Sequence, residues 1–189
     1  MEYSEKVGLI TGGAEGIGRG IAERLLMNGI KGVCIIDVNK DLGEETTQYF
    51  KTQFGHGRTL FIHCDVTSKT SLRDAFKKTK ECYDRIDIVC NNAGIVNELE
   101  WQTMMHVNLF AVIEGTYLGL EFMGTQHGGF GGTVINVSSS NGDQYTIHIK
   151  LRPLTGTGFC DVNRSLPTLS IVVQRDDIKS HLHNLGDPS

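Results

Sequence analysis

Apolar residues in this chain gather in short runs, and between the runs they recur at helical spacing. Val7, Leu9 and Ile10 form the first run, and residues 32–37 (Gly-Val-Cys-Ile-Ile-Asp) the second. Residues 59–64, 86–90 and 133–138 supply three more. Runs of this length suit strands buried on both faces of a parallel sheet. Between them, Ile17, Ile21 and Leu25 repeat at every fourth position, as one side of a helix does. Residues 40–54 predict a second helix with Leu42, Thr46, Tyr49 and Phe50 on one side. Ser68 is an N-cap for a third, which runs to about Tyr83 and turns Leu72, Phe76 and Tyr83 inward. A longer helix is expected over 103–123, with Val107, Ala111, Tyr117 and Leu118 as its stripe. The five glycines in 124–132 predict a mobile surface loop. Strand alternating with helix through five strands means βαβ units, so the fold class is α/β with a doubly wound parallel sheet.

Right-handed crossovers bring the C-terminal ends of such strands to one edge, where ligands bind at the point at which strand order reverses. Gly12, Gly16 and Gly18 occupy the turn from the first strand into the first helix. The first N–H groups of a helix lack internal partners, and the helix dipole adds positive charge there. A pyrophosphate satisfies both if no side chain holds it off, which is what glycine permits. The spacing is Gly12-x-x-x-Gly16-x-Gly18 rather than the commoner G-x-G-x-x-G, and a turn packed tightly for steric reasons would carry the same glycines. Asp37 ends the second strand. A carboxylate there accepts hydrogen bonds from ribose hydroxyls and repels a 2′-phosphate. Ala14, Glu15 and Val38 supply no cation to attract one. The pattern therefore points to NAD over NADP, the alternative being a solvated acid at a strand end. Asp65, the run Asn91, Asn92, Ala93, Gly94, and Ser138 to Ser140 fall at the same edge.

Composition narrows the class without changing the picture. The chain has 189 residues and a net charge of −4, with 21% charged residues. That is enough for one domain with a core, and no basic run calls for nucleic acid. No apolar run is long enough for a membrane span. Residues 1–5 are polar and the first strand begins at once, which leaves no room for a signal or transit peptide. The five cysteines have no paired spacing, and Cys34, Cys64 and Cys90 fall in core strands. They are expected to be reduced, in a cytoplasmic protein, and not metal ligands.

Five motifs together resemble the short-chain dehydrogenase/reductase family, whose core is a Rossmann-type sheet. They are Thr11-Gly12-x-x-x-Gly16-Ile17-Gly18, Cys64-Asp65-Val66, Asn91-Asn92-Ala93-Gly94, Asn108, and Asn136-Val137-Ser138-Ser139. Within the family, residues 35–37, 91–98 and 115–123 are similar to NAD-dependent 15-hydroxyprostaglandin dehydrogenases and insect alcohol dehydrogenases. The resemblance covers residues 6 to about 142 and implies hydride transfer between NAD and a secondary alcohol, including hydroxylated lipids. It implies that Gly12, Gly16, Ile17 and Gly18 hold the pyrophosphate and that Asp37 and Val38 meet the adenosine ribose. Cys64, Asp65 and Val66 would line the adenine, and Asn91, Asn92, Ala93 and Gly94 would run along the cofactor. Ser139 would orient the substrate oxygen, and Asn108 would anchor a water in a proton relay.

The family carries its acid/base tyrosine and its partner lysine at positions 152 and 156. This chain has Arg152 and Gly156 there. An arginine stays protonated and a glycine has no side chain. Tyr145 and Lys150 are five apart, so they share a face of neither a helix nor a strand. Tyr145 is nevertheless the first residue to examine as a substitute. All three prolines lie beyond residue 150, and residues 140–189 contain no Ala and no Glu. Residues from about 143 onward are expected to be a divergent, poorly ordered tail from another reading frame or exon, in which only 169–173 is strand-like. Loss of the family's later strands would leave an apolar face and the edge of the fifth strand open. The resemblance also implies a homodimer, built on helices of the side where the departure falls. Two other readings remain: an NAD-binding remnant without turnover, and an interaction module that pairs with a full-length subunit.

Overall fold

The computed structural model describes residues 3–138 and 169–172. Six parallel strands stand in the order β3-β2-β1-β4-β5-β6. They are β1 (Val7–Thr11), β2 (Gly32–Asp37), β3 (Thr59–His63), β4 (Ile88–Asn91), β5 (Thr133–Ser138) and β6 (Leu169–Val172). The chain steps outward from β1 to β3, then returns to lay β4 on the other side of β1. Strand order therefore reverses between β1 and β4, and this is the switch point of the sheet.

Around β1 and β2 both faces of the sheet are covered, and successive residues of a strand point to opposite sides. Leu9, Cys34 and Ile36 join Leu72, Phe76 and Leu118 in one buried layer, under helices α3 (Lys69–Tyr83) and α5 (Ala111–Met123). Ile10, Val33 and Ile35 join Ala22, Leu26 and Phe50 in the other, under α1 (Gly16–Met27) and α2 (Lys40–Phe54). The alternation explains why the strand runs read as continuously apolar.

The helix faces depart from expectation in ways that side-chain size explains. On α1 the buried residues are Gly18, Ala22 and Leu26, one position on from the predicted Ile17, Ile21 and Leu25. Two small residues let the helix lie close to the sheet, and Ile21 and Leu25 flank the contact. On α2 the buried set is Gly43, Thr46, Thr47 and Phe50. Tyr49 points outward, with the Arg19 guanidinium 5.0 Å from its ring centre and its hydroxyl donating to Glu23 Oε1 at 3.1 Å. On α3 the prediction holds, and Ser68 accepts from the Ser71 N–H as the cap. The helix expected over 103–123 starts earlier, at α4 (Trp101–Met105), and is interrupted by a π-helical turn over His106–Phe110. Within α5, Ala111 and Leu118 are seven residues apart and share the buried face, while Tyr117 lies off that face and is exposed.

Two further expectations change. The stretch 124–132 is folded on itself rather than a free loop. A 3-10 turn (Thr125–His127) is succeeded by bonds from Gly129 N to Gly124 O at 3.0 Å and from Gly131 N to Met123 O at 2.8 Å. The β5 edge is not open either, since Leu169–Val172 pairs with it in parallel, Ile135 facing Leu169. The other expectations for the tail lie outside the described residues.

Cys34, Cys64 and Cys90 are buried and unbonded, and Cys82 is exposed. Burial pushes the Cys34 and Cys90 thiols up to about 12 and the Cys64 thiol to about 11, from an ordinary 9.0, with the Asp65 charge adding to the last. At about pH 8 a thiol reagent is expected to modify Cys82, and to reach the other three only after denaturation. Peptide masses before and after denaturation read this directly, and native labelling of Cys34 or Cys90 would contradict the buried sheet. Because the folded values exceed the unfolded one, the contribution of these thiols to stability is full below about pH 9 and is lost as the pH rises toward 11–12.

Candidate functional site

The site is built at the C-terminal strand ends around the switch point. Register sets the neighbours: Thr11 lies beside Ile36, Asp37 beside His63, and Asn91 beside Asn136. After β1 the chain turns at Gly12 (φ 63°) and again at Gly16 (φ 56°), both in the left-handed region that disfavours side chains. A Cβ at Gly12 would stand 2.9 Å from the Ala93 Cα. A Cβ at Gly18 would meet the Gly12 carbonyl and, at 2.6 Å, the Asn92 amide. These two glycines are sterically required. Gly16 is different, because a Cβ there would project into open space.

Gly16 is itself the first residue of α1. Glu15 occupies the N-cap position without capping, and the first turn carries no acidic residue. The first helical bond runs from Arg19 N to Glu15 O at 3.2 Å. The N–H groups ahead of it face outward with the positive end of the helix dipole, an arrangement that suits an anion. Among the described residues no side chain caps this helix start.

The turn is braced from both sides. Asp37 Oδ2 accepts from Ala14 N at 3.0 Å and Oδ1 from Asn39 N at 2.9 Å. Each carboxylate oxygen thus retains acceptor capacity, and Val38 beside it is exposed. From the β4 side, the buried Thr11 hydroxyl accepts from Asn92 N and Ala93 N, both at 3.0 Å. The Asn92 amide donates to the Thr11 and Gly12 carbonyls, also at 3.0 Å. Asn91 turns inward and donates to Asn136 Oδ1 at 2.8 Å, with Thr116 completing a buried polar group. Asn91 is therefore a spacer inside the sheet, while Ala93 is half-buried and Gly94 exposed beyond the C-terminal end of β4.

The remaining predicted residues sit less uniformly. Cys64 and Val66 are buried, the latter in the core under α3. Asp65 is exposed and its carboxylate accepts from Thr67 N and Thr67 Oγ1. Ile17 is half-buried at the start of α1. Asn108 lies in the π-helical turn, where its side chain accepts from Ile95 N at 2.9 Å and donates to Ile95 O at 2.8 Å. Both ends of that amide are engaged in holding the segment after β4. Ser139 and Tyr145 lie outside the described residues, as do Arg152 and Gly156. Thr11, Thr46 and Asn136 carry bonds that the residue pattern did not assign. Thr11 had a signal in its place before Gly12, and the other two depend on tertiary contact. Among the described residues no group of three His, Cys, Asp or Glu is arranged to hold a metal, and no helix is long and apolar enough to cross a membrane.

A doubly wound sheet whose helix start opens at the switch point, next to an acid on the adjoining strand, defines a Rossmann-type α/β protein. The chain belongs to the short-chain dehydrogenase family, whose model matches residues 6–151. It is 46% identical over 142 residues to the 15-hydroxyprostaglandin dehydrogenase [NAD(+)] of Homo sapiens, a match that covers 75% of this chain and 53% of that protein. A short-chain dehydrogenase structure from Novosphingobium aromaticivorans superposes with a TM-score of 0.65 at 25% identity, over 73% of this chain and 53% of that one. A short-chain dehydrogenase/reductase from Burkholderia phymatum, solved in complex with NAD, gives a TM-score of 0.66 at 20% identity, over 74% of this chain and 50% of that one. The chain thus spans about half the length of the curated relatives it matches.

Proposed function

We propose that this chain binds NAD across the switch point and belongs functionally to the oxidoreductases that move a hydride between NAD and a secondary alcohol or ketone. The observation that carries the reading is the pairing of the uncapped α1 start with Asp37. The open space at Gly16 accommodates the pyrophosphate, and the spare lone pairs of Asp37 suit the adenosine ribose hydroxyls. Gly12, Ile17 and Gly18 would complete the phosphate contacts, and Ala93 and Gly94 would run beside the cofactor. NAD, when bound, supplies the hydride chemistry, and the chain binds and orients it. Support for a lipid-like alcohol comes from Ile95, Val96, Leu99 and Trp101, apolar side chains exposed just beyond the C-terminal end of β4. The 15-hydroxyprostaglandin dehydrogenase among the relatives is named for a substrate of that character. Reduced, buried cysteines suit a cytoplasmic setting.

A second reading, NAD binding without turnover, is favoured by one fact. Arg152 and Gly156 stand where the family's acid/base pair would, and neither can exchange a proton with an alcohol at neutral pH. One experiment separates the readings: titrate the purified chain with NADH by nicotinamide fluorescence, and assay alcohol oxidation on the same sample. Saturable binding with turnover supports the enzyme, with Ser139 orienting the substrate and Tyr145 the first residue to mutate. Saturable binding without turnover supports the remnant. Absence of binding removes both.

A further inference from the structure

We propose that Thr46 on α2 is a positioning residue for the phosphate-binding turn, an inference that rests on the NAD reading above. A buried threonine inside a helix ordinarily donates its hydroxyl to the carbonyl four residues back. Two buried threonines here do so, Thr79 to Ala75 O at 2.8 Å and Thr116 to Val112 O at 2.8 Å, as does the exposed Thr52 to Gln48 O at 3.0 Å. Thr46 does not. Its hydroxyl leaves the helix and donates to Ala14 O at 2.7 Å, in the middle of the glycine turn.

The bond closes a circuit. Ala14 donates its N–H to Asp37 Oδ2, Asp37 Oδ1 accepts from Asn39 N, and Asn39 caps α2 by accepting from Leu42 N at 3.1 Å. One turn further along α2, Thr46 returns to the Ala14 carbonyl. Both backbone groups of Ala14 are thereby held, its N–H by the end of β2 and its C=O by α2. Ala14 and Thr46 are both almost fully buried, at 1% and 2% exposure, so water does not replace a lost partner. Ala14 lies two residues before Gly16, where the turn opens toward the proposed anion position. With Thr46 bonded, that turn is fixed in the conformation that presents the α1 N–H groups before a nucleotide arrives, which lowers the ordering cost of binding.

Thr47 provides an internal control. It is buried on the same helix, at 5% exposure, and among the described residues its hydroxyl has no hydrogen-bond partner. Thr46→Val and Thr47→Val remove the same hydroxyl from adjacent positions, and only the first removes a bond to the turn. NADH titrations, with a thermal melt of each chain, test the proposal. Thr46→Val is expected to bind NADH about tenfold more weakly, the worth of one buried hydrogen bond. Thr46→Ser, which keeps the donor, and Thr47→Val are expected to stay within about twofold of the parent. A purely structural threonine would lower the melt and leave the affinity of the folded chain unchanged. Parental affinity in Thr46→Val therefore overturns the proposal while the NAD reading stands. Failure of the parent itself to bind overturns both. If Thr46→Val does not fold, Thr46→Cys takes its place, its thiol being a weak donor. Parental affinity in Thr46→Cys overturns the proposal, and a several-fold loss supports it.

Discussion

Gly16→Ala is expected to weaken NADH binding about a hundredfold while leaving a folded chain with a cooperative melt. Two costs have to be separated. The first is backbone strain: at φ 56° an alanine loses about 1–2 kcal/mol relative to a relaxed conformation. No clash adds to it, because a Cβ at Gly16 meets nothing within 4 Å. The second cost falls on the ligand alone. The same Cβ would stand over the start of α1, in the space an anion needs to reach the helix N–H groups. Losing two charge-assisted bonds there, at about 1.5 kcal/mol each, accounts for a factor of roughly a hundred. Gly29→Ala is the matched control. Gly29 also has a left-handed φ, 81°, and open space around its Cβ position, but it lies after the C-terminal end of α1. Both variants should melt lower than the parent by similar amounts, and only Gly16→Ala should lose affinity. Equal binding by the two variants would mean that the turn is glycine-rich for packing and cradles no phosphate.

How much of this was legible in the sequence depends on whether a residue acts through its own segment or through another. The strands stand out because β1 and β2 are buried on both faces and β4 nearly so, while β3 and β5, only half-buried, still read as short apolar runs. Helix faces are harder. In α1, Gly18 and Ala22 make the contact because they are small, and a reading by hydrophobicity selects the flanking Ile21 and Leu25 instead. The π-helical turn at His106–Phe110 inserts extra backbone that no periodicity anticipates, and Tyr117 is exposed because it lies off the face that Ala111 and Leu118 share. The site divides the same way. Gly12, Gly16, Gly18 and Asp37 are recognisable because the turn and the strand end demand those residue types. Thr46 looks like any helical threonine, and the pairing of Asn91 with Asn136 exists only once β4 and β5 lie side by side. Asn108 was legible as a marked position. The engagement of its amide with Ile95 could come only from the fold.

Asp87→Ala is expected to destabilise the chain by about 3–5 kcal/mol, the cost of leaving cations without their buried partner. The residue precedes β4, at the opposite end of the sheet from the cleft. Its carboxylate accepts from Val7 N at 2.9 Å, tying the start of β1 to β4. Arg85 meets it with two bonds, Nε to Oδ2 at 2.8 Å and Nη2 to Oδ1 at 2.6 Å, and Lys6 adds a third cationic contact at 3.2 Å. The Asp87 side chain is 3% exposed and that of Arg85 16%. The Phe130 ring, 4.4 Å from the guanidinium carbon, covers the pair from the folded glycine segment. The Asp87 carboxylate thus fastens residues 6–7 to the segment before β4, and Phe130 joins them through Arg85. The Arg73–Glu121 pair between α3 and α5 offers the contrast. It is bidentate and as short, at 2.7 and 2.8 Å, but its side chains are 41% and 45% exposed, so solvent screens it and its removal should matter little. Thermal melts of Asp87→Ala and Glu121→Ala compare the two directly. The first is expected to fall by on the order of 10 °C or more and the second by far less. Because Asp87 lies far from the cleft, the folded fraction of its variant should bind NADH as the parent does. A melt for Asp87→Ala close to that of the parent would show that the backbone ladder and apolar packing hold β1 to β4 without the carboxylate. A loss of affinity in the folded fraction would show that the two ends of the sheet are coupled.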